Sequence, residues 1–154
     1  FNDSDFTIQR FEEVYQSDLA NGLGNLVQRV AKMCEGLDMT KIDPTPNNDL
    51  QNIVNNFLNK YQWNLALGAI WKHISTLDVW INRDRPWEKD ANPKTRILGQ
   101  IVKASAATSS ILDIAGALIP FLPQTAKKIK DIFSQQNITA PKTPLFPRLN
   151  HITI

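Results

Sequence analysis

The apolar residues of this chain recur every three to five positions over almost its whole length, a period that builds helices and leaves no room for a sheet. From Thr7 to about Cys34 they fall at Phe11, Val14, Leu19, Leu23, Leu26, Val30 and Met33, which keeps one face of a helix apolar. Thr7 is placed to cap its start and Gly36 to stop it. Gly22 and Gly24 sit inside this predicted helix. Each costs about 1 kcal/mol relative to alanine, which points to another helix backbone passing close.

Prolines punctuate the rest. A linker, Leu37 to Asn48, carries Pro44 and Pro46. A second helix is predicted to start near Asp49, with Leu50, Ile53, Val54, Phe57, Leu58 and Tyr61 on one side. A third runs from about Gln62 to Asn82 on the stripe Ala66, Ile70, His73, Ile74, Leu77, Trp80 and Ile81. Pro86 and Pro93 bracket a break. A fourth, about Lys94 to Leu118, carries Ile97, Leu98, Ile101, Val102, Ile111 and Leu112, and its middle (Ala104 to Ser110) is all small residues suited to close packing. Pro120 and Pro123 end it. A short fifth, Gln124 to Phe133, sets Ala126, Ile129, Ile132 and Phe133 against Lys127, Lys128 and Lys130. The tail from Ser134 carries Pro141, Pro144 and Pro147 and reads as extended. There is no strand alternation, no hairpin turn between alternating runs and no repeat of fixed period. The expected fold is an all-α bundle of about five helices with an extended C-terminal tail, residues 1–154 forming one domain.

With 154 residues the chain can bury roughly 70% of its unfolded surface and sustain a core. No stretch approaches the ~18 apolar residues of a transmembrane helix, so no membrane partner is expected. Cys34 is the single cysteine and His73 and His151 the only histidines, which excludes a disulfide framework and leaves no set of ligands for structural zinc. A net charge of +2 excludes binding nucleic acid through charge alone; placed side chains would have to do it. The start at Phe1, with no signal-like apolar run, reads as a fragment of a longer cytoplasmic protein. The sequons Asn2-Asp3-Ser4 and Asn137-Ile138-Thr139 are then chance matches.

Catalytic chemistry is hard to find. There is no phosphate-cradling glycine loop and no nucleophile in a recognisable setting. Glu12 and Glu13 are adjacent, so on a helix they point about 100° apart and cannot share a site. His73 reads as a satisfied core histidine. Cys34, at the negative end of a helix dipole, reads as a small apolar residue. No catalytic residue, metal ligand or cofactor is expected in this chain.

Two constellations point elsewhere. Asn21, Asn25, Arg29 and Lys32 follow i, i+4, i+8, i+11 and line up beside the apolar stripe. Two amides and a guanidinium in line suit the reading of base edges, although any amphipathic helix also needs a polar face. The second is Arg83-Asp84-Arg85-Pro86-Trp87-Glu88-Lys89, where an indole follows a proline past a helix end. Trp87 there either stacks an unpaired base or plugs the end of the core. If the helices alternate in direction, the first and third run the same way and these two pieces share one end of the bundle, which suits a single-stranded RNA loop better than duplex DNA.

At these residues the chain resembles the anticodon-binding domain of the methionyl-tRNA synthetases, which are class I aminoacyl-tRNA synthetases. The resembling blocks are Ser17 to Arg29, Tyr61 to Trp87, Ile119 to Ala126 and Leu145-Phe146-Pro147-Arg148-Leu149, in family order from Phe6 to Leu149. The resemblance implies that Asn21, Asn25, Arg29 and Trp87 meet the C-A-U anticodon of methionine tRNA. Lys32, Arg83, Arg85 and Lys89 are candidate phosphate contacts. It also implies a parent ligase that uses ATP and Mg to join methionine to its tRNA. The family's catalytic signatures H-I-G-H and K-M-S-K-S are absent, so a Rossmann catalytic domain is expected to precede Phe1 and to be a further partner. Four positions depart from the family: Arg85 where a small residue is usual, Asp84 and Glu88 beside the Trp, and Gly22 in place of a polar residue. The tail is expected to pack back across the domain and to leave an apolar patch. Two other readings stay open: the same domain from a cysteinyl, valyl or isoleucyl enzyme, and a helical protein–protein adaptor.

Overall fold

The computed structural model describes residues 6–40, 48–103 and 110–149. Among these every regular element is helical. The first is one long rod in three parts: α1 (Ile8–Val14), a π-helical stretch (Tyr15–Gly24) and α2 (Asn25–Cys34). Thr7 caps it, its Oγ1 accepting from the Arg10 N–H at 3.1 Å, and Gly36 ends it at φ 75°. The π stretch was not anticipated. There the ladder reaches one residue further back, so the Asn25 N–H donates to the Ala20 carbonyl.

α3 (Asp49–Leu58) and α4 (Trp63–Asp84) form a tight hairpin whose turn places Tyr61 at φ 56°. Leu50 and Val54 of α3 are buried, whereas Ile53 and Tyr61, expected on the apolar side, are exposed. α4 buries Ala66, Ile70, Ile74, Leu77 and Ile81 as its stripe requires. Trp80 and His73 of that stripe lie at its edge and are only partly buried. His73 is therefore not a core histidine; burial, then the nearby Lys72 charge, lowers its pKa, and Asp113 opposes them.

A single 3-10 turn (Pro86–Glu88) follows, then α5 (Ala91–Val102), α6 (Ile111–Ala117) and α7 (Pro123–Phe133). The expected fourth helix is thus two. Ser110 is extended and caps α6 with a full capping box: its Oγ meets the Asp113 N–H while the Asp113 carboxylate takes the Ser110 N–H. Most of the small-residue stretch, 104–109, lies outside the described residues, as do the Pro44-Pro46 linker, Asn2-Asp3-Ser4 and His151.

Buried side chains from all seven helices except α1 form one connected cluster, among them Val30, Leu50, Val54, Ile70, Leu77, Leu98, Ile101, Ile114, Ile129 and Phe133. Cys34 sits in it, and burial pushes its thiol up to about 12, so it behaves as the apolar residue expected.

The tail packs as a strap antiparallel to the first rod. The Ala140 N–H meets Glu35 at 3.1 Å, the Pro141 carbonyl accepts from Gln28 at 3.3 Å, and the Pro147 carbonyl accepts from the Tyr15 hydroxyl at 2.9 Å. Gln16 reaches the Leu149 carbonyl at 3.2 Å. The Phe146 ring stands edge-on to Tyr15, 6.3 Å between centroids, and lies on Gly24. The close neighbours that keep Gly24 a glycine are therefore the Leu19 carbonyl of its own rod and the Phe146 ring of the tail, and not the backbone of a second helix; Gly22 faces only the Ser17 carbonyl of its own helix. Leu145 and Phe146 are partly buried against the core, whereas Phe6 and Phe11, whose rings pack on each other, are exposed near the start of the rod.

Candidate nucleic-acid interface

The first rod and α4 run parallel. Val14, Asp18 and Leu19 lie beside Leu67, Gly68 and Trp71, and further along Arg29 meets Asp78 and Asn82. Of the candidate readers on the rod, Arg29 thus lies against the C-terminal part of α4.

Arg29 is held there by a closed triangle. One terminal nitrogen of its guanidinium bonds Asp78 at 2.7 Å and the other bonds the Asn82 side-chain carbonyl at 3.0 Å. Asn82 in turn donates to the other Asp78 oxygen at 3.0 Å. The Arg29 side chain is 31% exposed and that of Asp78 44%, so the pair stays within reach of a ligand.

Asn21 and Asn25 face elsewhere. Both are exposed and line a groove of about 580 Å³ between the rod and the tail, with Gln28, Phe146, Pro147 and Arg148 among its walls. The π stretch does not scatter these two amides, since both still open on the same groove.

Trp87 sits on the turn after α4. Arg85 takes a left-handed conformation at φ 47°, which ends the helix sharply, and Pro86 follows it. Pro86 is buried, whereas Trp87 beside it is 46% exposed. Asn82, which touches Arg29, precedes Trp87 by less than two helical turns of chain. Trp63 is also half exposed, but its ring packs edge-on to Phe121.

No family model matches the chain. It is 35% identical over 142 residues to the methionine–tRNA ligase of Caldanaerobacter subterraneus subsp. tengcongensis, covering 82% of this chain and 21% of that protein. The Clostridium acetobutylicum methionine–tRNA ligase is 33% identical over 143 residues, 84% of this chain and 22% of the relative. That of Fusobacterium nucleatum matches 96% of the chain at 24% identity. The chain is homologous to one part of the methionyl-tRNA synthetases. It spans 21% to 28% of the length of these relatives. The free-state structure of the Mycobacterium tuberculosis methionyl-tRNA synthetase shares the fold, with a TM-score of 0.72 at 20% identity, over 95% of this chain and 35% of that one.

Most of the basic groups around Trp87 and at the end of the rod carry carboxylate partners. Lys32 bonds Glu35 at 2.6 Å, Arg83 bonds Asp84 at 2.6 Å, and Arg85 bonds Glu88 at 2.8 Å. Asp84 also accepts from the Trp80 indole at 2.6 Å, and its pKa is lowered first by the Arg83 hydrogen bond. Lys89 is exposed and its charge also favours ionised Asp84. Three of the four candidate phosphate contacts are therefore in exposed pairs, which are weak and open readily. Asp84 and Glu88 are what neutralise Arg83 and Arg85.

Four groups escaped the sequence reading. Asp78 and Asn82 stand one helical turn apart, a spacing that marks a shared face but not its partner 49 residues earlier. Gln28 and Arg148 reach the groove only because the tail returns along the rod. Among the described residues the buried Gln28 Oε1 meets no hydrogen-bond donor. Among the described residues no three His, Cys, Asp or Glu are placed to hold a metal ion, and no helix is long and apolar enough to cross a membrane.

Proposed function

We propose that this chain is the anticodon-recognition module of a methionyl-tRNA synthetase. In this reading Asn21, Asn25, Arg29 and Trp87 meet the C-A-U loop of methionine tRNA, and Lys32, Arg83, Arg85 and Lys89 exchange carboxylate partners for phosphates. The single observation that supports it best is the guanidinium of Arg29. It is fixed on α4 shortly before the turn that presents a half-exposed indole, so a directional donor and a stacking surface lie at one bundle end. Homology to the ligases supplies the rest of the reading. The parent joins methionine to its tRNA with ATP and Mg in the cytoplasm. That chemistry belongs to a catalytic domain on the same polypeptide that carries the two signatures this sequence lacks. This chain binds and orients RNA and performs no bond-making step.

The test is a titration of two anticodon stem-loops, one with C-A-U and one scrambled, against the chain and its Arg29→Ala variant. The C-A-U loop should bind more tightly, and Arg29→Ala should remove roughly 1–3 kcal/mol of that preference. Equal affinity for the two loops would overturn the recognition role. Absence of RNA binding altogether would favour a protein–protein adaptor.

A further inference from the structure

We infer that Asp78, with Asn82, is the positioning residue that makes Arg29 a directional reader rather than a mobile cation. The inference rests on the anticodon-recognition reading and adds a residue to it. A guanidinium has five N–H donors in one plane, and free in solution it turns to meet any anion. Here one donor from each terminal nitrogen is tied to α4, one by the Asp78 carboxylate at 2.7 Å and one by the Asn82 carbonyl at 3.0 Å. Two anchors fix the plane. The Asn82 amide is itself oriented by its bond to Asp78 at 3.0 Å, so removing Asp78 loosens both anchors at once. The three remaining donors then point in fixed directions, and the carboxylate beside them balances their charge.

This pairing is a poor device for stability. Both side chains keep a substantial part of their surface in water, where ion pairs contribute little to folding. It is a good device for selectivity. A fixed donor set satisfies one arrangement of base acceptors and leaves another unpaired, while a phosphate gains less from a cation already matched by a carboxylate. Releasing Arg29 should therefore exchange discrimination for general affinity.

The experiment measures binding of the C-A-U and scrambled stem-loops over a salt series for four chains: unsubstituted, Asp78→Ala, Arg29→Ala and the double variant. Melting temperature is recorded for each. Asp78→Ala should melt close to the unsubstituted chain and lose discrimination on the order of tenfold. Its affinity for the scrambled loop should hold or rise, with a salt dependence steeper by up to about 0.7, one further single-strand phosphate contact. In the Arg29→Ala background, Asp78→Ala should change neither quantity, because its effect passes through Arg29. Asp78→Asn, which retains one acceptor for Arg29, should recover part of the discrimination. If the unsubstituted chain discriminates and Asp78→Ala either leaves that ratio intact or lowers it equally without Arg29, the positioning role is overturned and the recognition reading stands. If the unsubstituted chain does not discriminate, both fall together.

Discussion

Two glycines inside helices should respond in opposite ways to the same added methyl group. Gly68 in α4 is exposed and a Cβ built on it meets nothing within 4 Å. Gly68→Ala should therefore recover the ordinary helix-interior difference, a gain of about 1 kcal/mol. At Gly24 a Cβ would lie 3.0 Å from the Leu19 carbonyl oxygen and 3.3 Å from the Phe146 ring. The backbone oxygen cannot swing aside, and the ring is held by its edge-on contact with Tyr15. Overpacking of this kind costs roughly 1–3 kcal/mol, which outweighs the propensity gain and leaves a net loss of about 1 kcal/mol. For a chain of this length 1 kcal/mol moves the melting temperature by about 2–4 °C, so thermal unfolding followed by circular dichroism should separate the two variants by roughly 4–8 °C. Placing Gly24→Ala in a Phe146→Ala background should shrink its loss, since the ring contact is gone. If Gly24→Ala instead stabilises as Gly68→Ala does, the tail does not lie against the rod as described.

Two further outcomes are expected. Trp87 buries a little over half of its surface, so Trp87→Ala should cost about 2 kcal/mol of stability after allowance for a compact unfolded chain, besides roughly 1–3 kcal/mol of RNA affinity. Denaturant unfolding and titration of the same variant read both, and unchanged affinity in the folded fraction would sink the stacking role. His73 gives a pH signature. Its folded pKa is lowered, so the unfolded chain binds the proton more readily and stability falls as pH drops through the ordinary imidazole range near 6.5. His73→Gln should flatten that part of a stability–pH curve, and an unchanged slope would refute the assignment.

Local chemistry made much of the fold legible. Thr7 and Gly36 bound the first rod because each acts on its own backbone, and α4 buries the residues its period demands. The failures share a cause. The break before α6 was readable as Ser110 three residues before Asp113, but a long apolar period on both sides hid it. The π stretch was not read from the apolar spacing, which fits a helix of either winding. The parallel course of the first and third helices followed from topology, and it brought Arg29 to the end of α4 as expected. The charge on that end did not follow. Lys32, Arg83 and Arg85 read as candidate phosphate contacts, whereas Asp78, Asp84, Glu88 and Glu35 each take one cation among Arg29 and these three. Asn21 and Asn25 share a helix line with Arg29 yet open on a different wall, since only the returning tail makes their groove.

That tail also fixes an order of events in folding. Tyr15 and the Pro147 carbonyl are 132 residues apart, so in an unfolded chain their meeting would carry a loop-closure cost of about 4 kcal/mol for one hydrogen bond. Once the helices have packed, Phe133 and Ile138 are anchored in the core and only the short run from Thr139 has to find its path back along the rod. The strap therefore docks after the bundle, and it is the segment best able to undock without melting it. Amide exchange should show the helices as the slow class and the Ala140 N–H as a faster one. The groove that holds Asn21 and Asn25 is then the last part of the molecule to form and the first to be lost.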